Sequence, residues 1–179
     1  MALLLAMMRT LIDEQLEPAD LVTRLNVQVC RHAPSSRFIT LFYGVYDMAS
    51  GLLTYVNAGH TPPLLLRSGG AFDRLLEGGV ALGMFDRSAY QAGQTWLQHD
   101  DLLAVYSDGV TEAENPAGQP FDEAGLERAL EANRRSSVSA ISTAILRAVE
   151  RHTADTRLAD DVTILLLCRS AIPEAAVVG

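Results

Sequence analysis

The chain has 179 residues, enough for one domain with a substantial core. Apolar residues make up 49% and charged residues 20%, the balance of an ordinary soluble globular protein. A formal charge of −8 argues against a nucleic-acid binder, and it would repel a phosphate-bearing substrate unless a cation reversed the sign locally.

The opening run, Met1 to Met8, is apolar but has no cationic residue before it and no small-x-small cleavage site. It is too short to span a bilayer. With its continuation it reads as an amphipathic core helix from about Ala2 to Leu16. No N-cap residue precedes it, so the chain reads as opening inside a helix, truncated at its N-terminus. A second helix is expected from Pro18 to near His32, with Leu21, Val22, Leu25, Val27 and Val29 at helical spacing. Phe38 to Tyr46 is apolar on both faces and rich in β-formers, which predicts a central strand covered on both sides. Asp47 to Gly51 is turn chemistry, and Leu52 to Asn57 is its hairpin partner.

A second hairpin follows, Pro63 to Arg67 and Ala71 to Leu75 around Ser68-Gly69-Gly70. Gly78 to Gly83 reads as loop, Tyr90 to Gln98 as a more exposed strand, and Asp101 to Ser107 as a buried one. Phe121 to Asn133 and Val138 to His152 are predicted helices, and Val162 to Cys168 a final core strand. Hairpins make the sheets mainly antiparallel, and strands apolar on both faces need cover on both sides. The predicted architecture is α+β, a four-layer α/β/β/α sandwich of two mainly antiparallel sheets flanked by helices. One domain is expected over 1–169, with a flexible tail over 170–179. Cys30 and Cys168 lack metal-ligand spacing and read as buried free thiols of a reducing compartment, a disulfide staying open.

Two aspartates stand beside very apolar strands, Asp108 in Tyr106-Ser107-Asp108-Gly109 and Asp160 in Asp160-Asp161-Val162-Thr163. A carboxylate at the end of a buried strand is costly to desolvate unless something positive meets it. Neither motif holds a lysine or arginine, so a hard divalent cation is the natural partner. Gly109 lets the chain turn at once and leaves its backbone open to an ion. The competing readings are an Asp-Gly turn that only ends a strand and an exposed start to an edge strand. Glu112 and Glu114 read as solvated surface. His60, in Asn57-Ala58-Gly59-His60-Thr61, reads as a metal ligand, a general acid for a leaving group, or a turn cap. His32, His99 and His152 read as surface residues, and Ser35-Ser36-Arg37 as a loop or a phosphate contact.

Taken in order, Arg37 to Gly44, Tyr55 to Leu65, Leu82-Gly83, Tyr106 to Ala113 and Asp160 to Thr163 resemble the metal-dependent serine/threonine protein phosphatases of the PPM family. The likeness is closest to the bacterial branch of stage II sporulation protein E and the RsbU-type regulators, and it covers most of the chain. It implies that Asp108 and Asp160 bind metal, with two Mn²⁺ or Mg²⁺ ions in the complete domain. It implies hydrolysis of a phosphoserine or phosphothreonine ester, usually on a phosphorylated anti-sigma-factor antagonist. Separately, the lack of an export signal reads as a cytoplasmic location, the charge as no nucleic-acid partner, and the short apolar run as no membrane span in this segment. His60 falls where related phosphatases carry an acidic residue near the metals. The family also carries an earlier aspartate, in an Asp-x-x-Gly-x-Gly stretch before the first long helix, which this sequence lacks. His99-Asp100-Asp101 stands where the family tends to have Gly-Asp. Two other readings therefore stand beside the enzyme: a non-catalytic phosphatase-fold module that recognises a regulatory partner, and a hydrolase of small phosphate esters. Helices left exposed by missing strands would also favour a homodimer.

Overall fold

A computed structural model of the protein describes residues 2–32, 38–154 and 160–170. The chain divides into two units, one from residues 1–62 and 75–96, the other from 63–74 and 97–179. Ser35-Ser36-Arg37 and residues 171–179 of the expected tail lie outside the described residues.

In the first unit, α1 (Ala2–Asp13) and α2 (Pro18–His32) precede β1 (Leu41–Tyr46) and β2 (Leu52–Ala58). Gln15, with φ 53, turns the chain after α1, three residues before α2 and earlier than the expected Leu16. Pro18 opens α2 with a fixed helical φ, while Asp20 in its first turn and Arg31 and His32 in its last complement the helix dipole. β1 and β2 form the predicted antiparallel hairpin, with Leu41 opposite Ala58 and Tyr46 opposite Leu53. The other side of β2 carries β6 (Gly93–Trp96), antiparallel, and the two-residue β5 (Gly78–Gly79), parallel to Asn57 and Ala58. Val56 and Ala58 of β2 pack with Leu21, Val22, Leu25 and Val29 of α2 and Leu11 of α1. Alternation along the strand thus meets helical spacing in a shared apolar layer.

The second unit holds β3 (Leu64–Leu66), β4 (Phe72–Arg74), β7 (Leu102–Tyr106) and β8 (Ile164–Cys168), ordered β4-β3-β7-β8 and antiparallel throughout. Leu64, Leu66, Leu102, Ala104 and Tyr106 form one face of this sheet. Against it pack Leu126, Ala129 and Leu130 of α4 (Asp122–Asn133) and Ile141, Ile145 and Val149 of α5 (Val138–Thr153). Ser137 caps α5 by accepting the N–H of Ala140, and Ala154 ends it in a left-handed conformation, φ 45. A one-turn helix that the sequence did not predict, α3 (Asp108–Thr111), follows β7 directly.

The α+β class and the two mainly antiparallel sheets with their helices are as expected, but both outer strands depart from the reading. β1 was expected to be central. Among the described strands it pairs with β2 alone, and Gly44 and Val45 are exposed. β8 was expected as a final core strand, yet among the described strands it ends its sheet and leaves Leu165 58% exposed. Apolar runs report average environment, and the sheet's neighbours decide which strand lies outermost. Gly78-Gly79 was expected to be loop and instead pairs with β2. Both cysteines are free and only half-buried, and burial, with Asp100 adding, pushes the Cys168 thiol up.

Candidate metal centre

β7 carries a carboxylate beyond each end, and the two have opposite surroundings. Asp101, just before it, is 1% exposed. Its Oδ1 accepts the N–H of Ser68 at 2.9 Å, and its Oδ2 accepts the N–H of Gln98 at 2.9 Å and Arg67 Nη1 at 2.9 Å. Asp108, just after β7, is exposed, as is Asp160. The desolvation argument of the sequence therefore belongs to Asp101. A buried carboxylate at a strand end does have a cation, and the cation is Arg67 from the neighbouring hairpin. The adjacent His99-Asp100-Asp101 gave no sign of this, because Arg67 is distant in sequence. Asp108 and Asp160 instead face water, accessible to an ion.

The Asp108 and Asp160 motifs come together through backbone. The β7–β8 ladder places Tyr106 opposite Ile164, and the pairing continues one step as Ser107 N–H donates to Thr163 O at 3.0 Å. The Ser107 hydroxyl closes the join twice, accepting the Thr163 N–H at 2.9 Å and donating to Asp161 O at 2.9 Å. Ser107 was not singled out from the sequence, although a hydroxyl before Asp-Gly at a strand end is the available signal. Gly109 is buried against the same segment. A Cβ built there would lie 2.5 Å from Asp161 O and 3.1 Å from Asp161 C, an approach only glycine allows.

Each aspartate uses one oxygen on its own turn. Asp108 Oδ1 accepts the Gly109 N–H at 2.9 Å, and Asp160 Oδ1 accepts the Asp161 N–H at 2.7 Å. The second oxygen of each has no partner among the described residues. Two exposed carboxylates on joined segments offer oxygen donors, the ligand type that suits a hard divalent cation. Among the described residues, however, no three His, Cys, Asp or Glu side chains converge to hold a metal.

His60 belongs to the first unit, so it is described apart from these aspartates. Asn57, 4% exposed, shapes its turn: Asn57 Oδ1 accepts the His60 N–H at 2.8 Å, and Asn57 Nδ2 donates to Leu75 O at 3.2 Å. Gly59 has φ 71, and a Cβ there would lie 2.8 Å from Ala81 N. His60 Nδ1 lies 2.6 Å from Thr61 O. A carbonyl can only accept, so Nδ1 carries the proton, and Nε2 keeps the lone pair in the neutral ring. Glu112 and Glu114 are exposed, as are His32 and His99. His152 is not simply a surface residue: its Nε2 bonds Gln119 O at 2.9 Å and its ring meets Phe121 edge-on.

Comparison with known proteins gives the class first. The RsbU and RsbW domains of a Mycobacterium tuberculosis protein share the fold with a TM-score of 0.77 at 24% identity, over 96% of this chain and 47% of that one. The PP2C phosphatase domain of SpoIIE from Bacillus subtilis, solved with a fragment of its regulatory domain, gives 0.74 at 16% identity over 91% and 47%. The fold is that of PP2C-type phosphatase domains. The family model of stage II sporulation protein E (SpoIIE) matches residues 1–170, and the chain belongs to that family. Among curated relatives, protein IcfG of Synechocystis is 34% identical over 78% of this chain and 22% of its own length. Phosphoserine phosphatase RsbU of Bacillus subtilis is 29% identical over 90% of this chain and 48% of its own. The chain therefore spans less than half the length of these relatives.

Proposed function

We propose that this chain forms a metal-dependent phosphatase domain that hydrolyses phosphoserine or phosphothreonine esters on a regulatory protein, the substrate being a phosphorylated anti-sigma-factor antagonist. The observation that carries the reading is the join of Asp108-Gly109 to Asp160-Asp161 at one end of the β7–β8 ladder, with both carboxylates exposed. Family membership supports it, as do the relatives named phosphoserine phosphatase RsbU and RsbP. Related domains were solved after a manganese presoak, for SpoIIE, and in complex with magnesium, for RsbX.

In this reading Asp108 and Asp160 hold Mn²⁺ or Mg²⁺, with Gly109 backbone against the same segment. Such ions, when bound, neutralise the phosphate and activate a water for in-line attack. Ser107 fixes the spacing of the two motifs, so neither aspartate has to be ordered by the ion alone. His60, with Nδ1–H tied to Thr61 O, has Nε2 as the ring atom that faces a leaving oxygen in this reading, and it delivers a proton there only when the ring is doubly protonated. No described helix is long and apolar enough to cross a membrane, and we assign the reaction to the cytoplasm. Exposure of Leu5 and Ile12 on α1 supports a homodimer, which light scattering would measure.

The test is Mn²⁺-dependent turnover of a phosphoserine peptide and of p-nitrophenyl phosphate, with a chelator control. Asp108→Asn and Asp160→Asn should each lower kcat at least a hundredfold while leaving the fold intact. Wild-type turnover in Asp108→Asn would remove that residue from the site. The absence of a third converging ligand among the described residues favours a second reading, a module that binds its phosphoprotein without hydrolysing it. Folded wild-type protein that binds the phosphopeptide without metal-dependent turnover would establish that reading instead. Turnover of p-nitrophenyl phosphate alone would point to small phosphate esters.

A further inference from the structure

All 14 basic residues of the chain are arginine. Arg24, Arg67, Arg74 and Arg134 pair with carboxylates. Arg128 on α4 and Arg147 and Arg151 on α5 do not: none makes an ion pair or side-chain hydrogen bond with a described residue. All three are exposed, and all three line one open groove of about 690 Å³ between α4 and α5.

Apart from the arginines and Phe121, the groove is lined mainly by small residues, among them Gly125 and Ala129 from α4 and Ala140, Ala144 and Ala148 from α5. Among the described residues no carboxylate lines it. Arg147 and Arg151 stand one helical turn apart on one side. The helices already pack on their sheet through Leu126, Leu130, Ile141, Ile145 and Val149, so the groove's arginines are not needed to hold them. Scattered arginines are ordinary surface. Three arginines without an ion pair to a described residue, lining one groove in a chain of charge −8, leave a local excess of positive charge there.

We propose that this groove docks an acidic amphipathic helix of a partner protein. The small lining residues let a third backbone approach closely, and arginines one turn apart match carboxylates spaced i, i+4 on the incoming helix. Guanidinium groups suit this because they grip carboxylates with two parallel hydrogen bonds. A lipid surface fits less well, since the groove is concave and presents methyl groups where membrane contact requires protruding bulky apolar side chains. No residue of the groove belongs to the candidate metal centre, so the proposal stands independently of the phosphatase reading.

The experiment uses the full chain and a fluorescein-labelled 18-residue helical peptide with glutamates at i, i+4 and alanine and leucine on the adjoining face. Controls are the same peptide with glutamine for glutamate, and phosphatidylserine–phosphatidylcholine vesicles. Saturable binding is expected by fluorescence anisotropy, at least tenfold weaker for the glutamine peptide and weaker as salt rises. Arg147→Glu with Arg151→Glu should weaken it at least tenfold more. Arg9→Glu with Arg87→Glu changes the net charge equally on unpaired arginines elsewhere and should leave it within twofold. If the reversed variant misfolds by circular dichroism, Arg147→Gln with Arg151→Gln is read in its place. The proposal is overturned by no binding to wild type, by equal losses in the two double variants, by vesicle binding without peptide binding, or by self-association that excludes the peptide. Phosphopeptide turnover, measured alongside, should be unchanged in the Arg147 and Arg151 variants.

Discussion

Replacing Asp101 by alanine should unfold the protein far more readily than replacing Asp108, although the two residues flank the same five-residue strand. The Asp101 carboxylate is 1% exposed and accepts the Ser68 and Gln98 N–H groups and Arg67 Nη1. Alanine removes the acceptor of two backbone donors, and because Ser68 and Gln98 are exposed the cost is at the low end, about 1 kcal/mol each. Arg67 loses less, because it is partly exposed and keeps Asp73. Removing one partner of a fully buried ion pair typically costs about 3–5 kcal/mol, and with Arg67 partly exposed the expected loss is about 2–4 kcal/mol. Against a total stability of roughly 5–15 kcal/mol that is a large share. Asp108 is exposed and its one hydrogen bond is to the adjacent Gly109 N–H, so its replacement should cost below about 1 kcal/mol. Urea unfolding followed by circular dichroism, with slopes compared, gives both values. A cost below about 1 kcal/mol for Asp101→Ala would refute the assignment of its carboxylate as a structural cap. Equal costs at the two positions would refute the division of roles along β7.

Gly109→Ala puts a methyl carbon 2.5 Å from Asp161 O, so the Asp108 and Asp160 segments must separate. The expected outcome is loss of metal-dependent turnover with about 1–3 kcal/mol of destabilisation, read by kinetics and urea midpoints on the same preparation. Asn26, fully buried on α2, donates to Phe85 O at 2.8 Å and accepts the Gly83 N–H at 2.9 Å. Asn26→Leu should free the 83–85 loop, seen as faster amide exchange there than in α2 itself. The Tyr90 hydroxyl is buried without a partner among the described residues, and burial, with Cys30 adding, pushes it up to about 12. The unfolded chain then ionises near pH 10 while the native state keeps its proton, so stability falls by roughly 1.4 kcal/mol per pH unit between 10 and 12. Tyr90→Phe should lack that contribution and be no less stable at pH 7; an unchanged alkaline slope in the variant would count against the burial argument.

Much of the fold was legible because its strongest patterns are local. Pro18 to His32, the Asp47 to Gly51 turn and the Ser68-Gly69-Gly70 hairpin each carry their own punctuation, and each stands where it was read. Edge positions were not legible. β8 is apolar throughout and still lies outermost, since pairing order depends on partners far away in the chain. The site divides along the same line. Asp108, Gly109 and Asp160 were singled out from short motifs, and the described backbone brings those motifs together. What holds them there, the double use of the Ser107 hydroxyl, requires Thr163 at a known register, which no single-sequence pattern supplies. Asp101 shows the reverse case. The physical argument was sound, but it was attached to the wrong carboxylate, because Arg67 reaches it only after the hairpin has formed.

The two ends of β7 have a consequence for inheritance. A lesion at the Asp101 end should deplete the protein, and an unmutated second copy of the gene would then cover the loss. On the proposed function, a lesion at Asp108 should leave a folded, abundant protein that binds its phosphoprotein without turning it over. Such an allele would interfere with the normal one in the same cell. Substitutions a few residues apart on one strand are thus expected to behave as recessive at one end and dominant-negative at the other.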